Sequence, residues 1–419
     1  MTPTLVVSMA FALAVAPSAR ALPAPEEATR YSVTLRPDFR KQVFQGEEQL
    51  DFQAEAGIVQ FSKQPGLRIT KVTGGSLVKD GGSVRVRLRK SGRQSLRFRY
   101  TVGAGRGLKW LNNDKGFLST FYCDAWMICN DRPDHRAGLR LEFVLPAGSD
   151  LLPVGPGRLV SSTDVKGERH FVFEQGPPVQ TYLFSFAAAR LLSSSDGDFI
   201  IYAGAGGHTI ALQKTAAAAA FFRERAGREP LHKTYTQAFL PDVEVGQEAA
   251  GLGLMSEVYL SALEQADDVD LMAHELAHQW WGVLVGIRSW SDFWLNEGMA
   301  EFMADAFVER HQGRRAYEQR MAKLHQRMTA LQKEGKDRPL HWEGWKDAHE
   351  ALGPVPYVKG ALFLDNLRKQ LGETHFWGGI ALYTRKHAHS LVDARSFQRA
   401  MEEASGRSLA PLFDEAVYK

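Results

Sequence analysis

Two histidines four positions apart, with a glutamate between them, are the residues of this 419-residue chain best suited to chemistry: His274-Glu275-Leu276-Ala277-His278. The surrounding sequence predicts a helix from about Asp270 to Trp281. On an α-helix, positions i and i+4 differ by about 40° around the axis, so both imidazoles project from one face and can share a metal ion. Glu275 flanks that ion, where its carboxylate can take a proton from a bound water without ligating. A catalytic zinc site takes three protein ligands and keeps a fourth position for water, so a third ligand must come from elsewhere in the chain. Glu297 is the candidate. It lies nineteen positions after His278 in Trp294-Leu-Asn-Glu-Gly-Met-Ala-Glu301, which reads as helical through about Arg310. Two antiparallel helices joined across Gly282 to Ser291 would bring its carboxylate beside the two imidazoles and complete a site for one Zn2+ per chain.

Other elements must hold these helices in place. From Tyr31 to about Leu192 the sequence runs in short alternating stretches broken by Gly, Pro, Asp and Asn. Tyr31–Leu35, Gln49–Phe52, Ser83–Lys90, Ser95–Tyr100, Leu139–Leu145, His170–Phe173 and Thr181–Phe186 all read as antiparallel strands. The arginines of Val84-Arg-Val-Arg-Leu-Arg89 and Leu96-Arg-Phe-Arg-Tyr100 fall on one face of period two, the pattern of a solvated outer sheet face. After Ser193-Ser-Ser-Asp-Gly197 the period lengthens. Thr215 reads as the cap of a helix from Ala216 to Arg225 that ends at Gly227, and Thr234–Leu240 as a strand. From Val269 onward nearly everything reads as helix, with stops at Gly282, Gly313, Gly335, Gly372 and Gly406. The expected fold is therefore α+β: an N-terminal antiparallel β domain over residues 22–195, followed by a mostly helical domain over 196–419.

Composition narrows the class further. With 44% apolar and 24% charged residues, 38 Gly, 18 Pro and 2 Cys, the chain is neither a disulfide-stapled mini-protein, a collagen-like fibre nor a disordered tail. A formal charge of +3 gives no reason to expect a nucleic-acid partner. Leu5–Val15 suits the apolar region of a signal peptide and is too short to span a membrane, and Ala19 and Ala21 make an A-x-A-like cleavage site. Residues 1–21 are thus expected to be removed on export to a periplasmic or extracellular location, with no integral membrane segment remaining. Export permits a disulfide, and Cys123 and Cys129 are its only partners, either bridged or buried as thiols. The remaining histidines, including His341, His349, His387 and His389, read as surface or capping residues. Trp280, Trp281, Trp290 and Trp294 read as core around the metal helices.

His-Glu-Leu-Ala-His-Gln-Trp-Trp-Gly (274–282) together with Trp294-Leu-Asn-Glu-Gly298 resembles the gluzincin metallopeptidases of the aminopeptidase N and leukotriene hydrolase kind. Tyr31-Ser-Val-Thr-Leu35, Phe44-Gln-Gly46, Thr181-Tyr-Leu-Phe184 and Leu409–Val417 extend the likeness along most of the chain. The resemblance implies a thermolysin-like catalytic domain, zinc on His274, His278 and Glu297, and Glu275 as general base. It also implies a tyrosine that donates to the developing oxyanion. Here that is Tyr357 in Val355-Pro-Tyr-Val-Lys-Gly360, with Pro354 and Pro356 preceding a helix from about Tyr357 to Leu371. A short form is expected, without the helical C-terminal domain that covers the cleft in larger relatives, and hence a more open site.

The chain departs from the pattern where relatives carry Gly-x-Met-Glu-Asn, whose Glu binds the free amine of the substrate. Here the sequence is Gly246-Gln-Glu-Ala-Ala-Gly-Leu252. Alignment back from Gly251-Leu252 places Glu248 on the amine-binding Glu with a one-residue gap, whereas alignment forward from Gly246 places Ala249 there. A buried ammonium needs a carboxylate, which favours Glu248. The glutamate often found seven positions after the third ligand is replaced by Ala304, with Glu301 and Asp305 as substitutes for its supporting role. The implied function is a zinc-dependent aminopeptidase acting on peptides. Its rivals are an endopeptidase of the same fold, without a working amine anchor, and a secreted binding or scaffold protein that keeps zinc but is catalytically silent.

Overall fold

The computed structural model describes residues 28–80, 82–112, 115–204, 206–244 and 246–419; the expected signal segment lies outside them. Alternation governs the N-terminal half. Along Val43–Ala54, Phe44, Glu48, Leu50 and Phe52 are buried while Gln45, Glu47 and Gln53 are exposed, the signature of a sheet with one wet face. Seven strands lie in the order Arg158–Val165, Glu168–Gln180, Arg136–Pro146, Ala28–Asp38, Val43–Ala54, Gly92–Gly103, Leu67–Thr73. The sheet is not wholly antiparallel, because Ala28–Asp38 runs parallel to Arg136–Pro146. The expected arginine face divides between two sheets. Arg97 and Arg99 lie on the large one, bonded to Gln49 and Glu47, and Arg85 and Arg87 lie on a separate three-stranded sheet.

A four-stranded sheet carries Leu108–Leu111 at its edge beside Gly116–Ser119. Thr181–Phe186 is not one strand. Thr181–Leu183 forms a 3-10 turn, pinned where the Thr181 hydroxyl donates to the carbonyl of Asn130, and the strand begins only at Phe186. Cys123 and Cys129 are bridged, with 6.2 Å between their Cα atoms.

A five-stranded sheet follows, in the order Leu192–Asp196, Phe199–Ala203, Tyr235–Leu240, Leu252–Ser256, Gly246–Ala249, with Gly246–Ala249 antiparallel at the edge. Helices follow: α1 (His208–Ala226), α2 (Glu257–Ala266), α3 (Asp270–Ala277), α4 (Trp294–Gln312), α5 (Arg314–Lys333), α6 (Ala348–Ala351) and α7 (Pro354–His387). Of these, α1, α2 and α3 pack against this sheet, while α4, α5 and α7 pack on one another and α4 on α3. Thr215 does not cap α1. The helix begins a full two turns earlier, and Thr215 is buried inside it with its hydroxyl donating to Gln237 Oε1 at 3.0 Å. The expected stops at Gly227 and Gly372 do interrupt helices, each with positive φ. Pro354 and Pro356 lie within the first turn of α7 rather than before it, where a missing N–H leaves no bond unmade.

One large apolar core runs through both halves, and the four tryptophans 280, 281, 290 and 294 belong to it. A second, smaller core contains Leu111, Leu118, Ala249, Leu252 and Leu254, so the edges of the four- and five-stranded sheets share one apolar seam. No described helix is long and apolar enough to cross a membrane.

Candidate active site

His274 lies in α3, and His278 occupies its C-cap. The helix stops earlier than the expected Trp281, because the chain turns away toward Gly282. His278 nonetheless keeps helical φ/ψ of −57° and −21°, so the i, i+4 relation survives. Gly282 has a φ of 141°, and a Cβ there would collide with Oδ1 of Asn296. From the turn the chain returns into α4, whose first turn carries Glu297. Tyr357 arrives on α7 because α4 and α7 cross at two glycines. A Cβ on Gly298 would lie 2.7 Å from the Cα of Gly360, so both members of the crossing must lack a side chain.

The three donor atoms converge. Nε2 of His274 and Nε2 of His278 are 3.1 Å apart, and Oε2 of Glu297 lies 3.3 and 3.4 Å from them. Their other nitrogens set the tautomers. Nδ1 of His278 faces the carbonyl oxygen of Trp281 at 3.2 Å and Oδ1 of Asn296 at 3.3 Å, and Nδ1 of His274 faces Oε2 of Glu301 at 3.3 Å. All of these are acceptors, so each Nδ1 carries its proton and each Nε2 presents a lone pair. With neutral imidazoles, three buried lone-pair atoms thus meet at one point, an arrangement that suits a cation. Tetrahedral zinc with bonds of about 2.0–2.1 Å sets its ligands roughly 3.3–3.4 Å apart, the spacing found here. The site fits zinc. Glu301 is the residue that supports His274, because Asp305 pairs instead with Arg320.

The charges agree. Burial alone would lower both histidines, but Glu297 and Glu301 outweigh it at His274, and Glu248 and Glu297 raise His278 to about 9. The same imidazoles overcome the burial of Glu297 and hold it at about 2. The cage draws positive charge. Glu275 behaves oppositely, since burial dominates and lifts it to about 7.

Glu275, Tyr357 and Glu248 line one pocket of about 200 Å³ with His274 and Glu297. The Tyr357 ring stacks on that of His274 with centroids 6.0 Å apart, and burial beside Glu297 keeps its phenol neutral, well above the ordinary tyrosine range. Glu248 sits on the edge strand Gly246–Ala249 and faces the pocket, while Ala249 is buried in the second core. Of the two alignments, the geometry brings Glu248 to the metal cage. Its Oε2 accepts from Gln247 Nε2 at 2.8 Å and its Oε1 from Asn296 Nδ2 at 3.2 Å, and burial lifts its carboxyl to about 8.

Three functional neighbours escaped the sequence reading. Asn296 links Glu248 to His278 through the two ends of its amide. Gln279 accepts from the Gly251 N–H at 2.9 Å and donates to the Ala249 carbonyl at 3.0 Å, tying the end of α3 to the edge hairpin. Both residues stand inside the motifs quoted, where their amides were the available signal. Phe121, a pocket wall with a φ of 58°, gave no signal, because nothing in an aromatic residue marks a left-handed backbone.

Comparison with known proteins gives a consistent picture. Residues 211–415 match the peptidase family M1 domain. Aminopeptidase N of Lactococcus lactis is 30% identical over 314 residues, covering 68% of this chain and 36% of the relative. The mitochondrial aminopeptidase 2 of Saccharomyces cerevisiae is 27% identical over 311 residues, covering 67% and 31%. The chain thus spans about a third of the length of these relatives. An M1 zinc metallopeptidase from Deinococcus radiodurans superposes with a TM-score of 0.80 at 21% identity, covering 94% of this chain and 93% of the other. A variant of that enzyme bound to a Tyr-Ser-Ala substrate superposes with a TM-score of 0.79 at 22% identity, covering 94% of each.

Proposed function

Because the chain belongs to peptidase family M1, we propose that it is a zinc aminopeptidase that removes the first residue of peptides with a free amino terminus. One observation carries this reading: a buried carboxylate, Glu248, opens into the same pocket as the His274–His278–Glu297 cage and the general-base candidate Glu275. A carboxylate desolvated in this way calls for a cationic partner, and the ammonium of a peptide supplies one.

His274, His278 and Glu297 would hold the zinc, with Glu301 and Asn296 orienting the two imidazoles. When bound, zinc supplies Lewis-acid polarisation of the scissile carbonyl and lowers the pKa of water. Glu248, steadied by Gln247 and Asn296, binds the substrate ammonium and so limits cleavage to the first peptide bond. Glu275 takes a proton from the attacking water and returns it to the leaving amine; its elevated proton affinity suits both halves of that task. Tyr357, kept neutral, donates its hydroxyl proton in a hydrogen bond to the oxygen on which negative charge develops. Walls from Phe121, Leu271 and Leu352 receive the first side chain. Export through residues 1–21 forms part of the proposal, checked by sequencing the amino terminus of the mature protein.

The decisive experiment compares free and N-acetylated forms of one peptide on zinc-loaded protein whose metal content has been measured. Cleavage of the free form, with loss on chelation and recovery on adding zinc, is expected. Equal rates on both forms would make the protein an endopeptidase. Bound zinc without hydrolysis of any peptide would make it a scaffold.

A further inference from the structure

On the reading just proposed, Glu248 and Glu275 fix the direction in which a peptide lies. The ammonium sits at Glu248 and the first carbonyl beside Glu275, whose Oε1 is 2.6 Å from the place where a Cβ on Gly246 would stand. From Glu248 to Gly246 the edge strand therefore runs from the amine toward the leaving peptide. Before Gly246 in the chain, Glu244, Val243 and Asp242 line a second groove of about 660 Å³. Its walls adjoin those of the catalytic pocket along the chain. Glu244 is two residues from Gly246, and Thr120, on the opposite wall, is the chain neighbour of Phe121. Two residues span at most about 7 Å, less than the length of a dipeptide unit and its flanks.

The far wall offers backbone. Leu108–Leu111 ends its four-stranded sheet, and Trp110 lines the groove. Leu108 exchanges both of its backbone hydrogen bonds with Gly105, at 3.1 and 2.9 Å, on the side away from Gly116–Ser119. Because the bonding side alternates along an antiparallel strand, the N–H and C=O of Trp110 point to that same outer side. A strand that ends its sheet can accept an extended peptide as an added strand. Charge selects among peptides: beyond the Lys115–Asp242 pair, the lining carries Glu244 and Glu257 against Lys109.

We infer that this groove binds the third and later residues of the substrate as an extended strand, so that the enzyme favours peptides of four or more residues with Lys or Arg, rather than Asp or Glu, in the tail. Two measurements on the full chain test this. The first is turnover of leucine p-nitroanilide, Leu-Ala, Leu-Ala-Ala-Lys-Ala and Leu-Ala-Ala-Glu-Ala by the zinc-loaded protein. Burial of tail residues is expected to raise kcat/KM roughly tenfold from dipeptide to Lys pentapeptide, mainly through KM. The Lys peptide should exceed the Glu peptide by about 2–5-fold, less at high salt. Val258 lies in the groove and is 68% exposed, so Val258→Trp should fold, abolish the length effect and leave anilide turnover unchanged. If that variant is unstable, Glu257→Lys should reverse the tail preference. The second measurement is the Kd of the same peptides for the Glu275→Gln variant, which reads the groove without hydrolysis. Absence of all hydrolysis would sink the aminopeptidase reading, while Kd values that still fell with length would support the groove. Equal Kd values for dipeptide and pentapeptide, or a Val258→Trp variant that slows anilide and pentapeptide alike, would overturn it.

Discussion

The two carboxylate positions on which the chemistry turns are built in different ways. Glu297 and the two histidines stand on helices, and α3 places His274 and His278 together by its own period, with Nε2 atoms 3.1 Å apart. Glu248 stands on an edge strand, where register alone decides what enters the pocket. It pairs with Gly253, and its neighbour Ala249 pairs with Leu252 in the second core. A slip of one residue would send Glu248 into that core and Ala249 to the substrate. A helix-borne ligand set is a local property of a few residues. A strand-borne anchor depends on the whole hairpin, the Gln279 clasp and Asn296. The first is therefore expected to tolerate change at a distance, and the second is not.

The largest effect should come from the helix side. Glu275→Gln keeps the shape and the burial but removes the proton acceptor, and kcat should fall about 10³–10⁴-fold with zinc content unchanged. Turnover near the original rate with zinc retained would show that Glu275 is not the base. Next comes the strand. Glu248→Ala should lower kcat/KM on free peptides by about 10²-fold, the size of effect expected when a buried charge partner is lost, while N-acetylated peptides are cleaved no worse than before. If free and blocked peptides lost activity equally, Glu248 would belong to the cage rather than to an amine anchor.

These two regions also explain how much was legible from the residues alone. The triad needed only helical spacing and a second motif, whereas the close approach of Gly298 to Gly360 emerges only where α4 and α7 cross, since neither motif names the other as its partner. Glu248 was readable only as one of two registers, because strand pairing is decided by Leu252 and Leu254 across the hairpin and by the core beneath. Thr215 misled for a related reason. Its hydroxyl finds Gln237 on a neighbouring strand, so a residue type that favours caps sits two turns inside α1. The β domain was legible as alternation, but its parallel pairing of Ala28–Asp38 with Arg136–Pro146 joins residues about a hundred positions apart, and no local signal encodes that.

A smaller effect tests whether the helix-borne cage is as self-sufficient as its spacing suggests. His274 has its tautomer set by Glu301, which stands one turn beyond Glu297 on α4, in place of the glutamate absent at Ala304. Glu301→Gln should weaken zinc affinity by about 10–100-fold, the usual cost of removing such support, without altering the preference for free over blocked peptides. Restoration by Ala304→Glu in the same chain would show that α4 offers two positions from which one carboxylate can serve. A change in amine preference would instead mean that cage and anchor are coupled.

The smallest expected effect lies where the two constructions meet. Gly246 begins the edge strand, and a Cβ there would stand 2.6 Å from both Oε1 of Glu275 and Cδ1 of Leu271. Both are tips of side chains that can move, so Gly246→Ala should fold with little change in Tm. On the proposed mechanism, however, Glu275 cannot move without consequence, because it must reach both the water and the leaving nitrogen. A displacement of several tenths of an ångström should cost about tenfold in kcat, with KM nearly unchanged, since the ammonium is still held two residues away at Glu248. A rise in KM with kcat intact would place the strain on the strand, showing that the edge yields before the helix does. The measured split between kcat and KM thus reports which of the two regions is the stiffer.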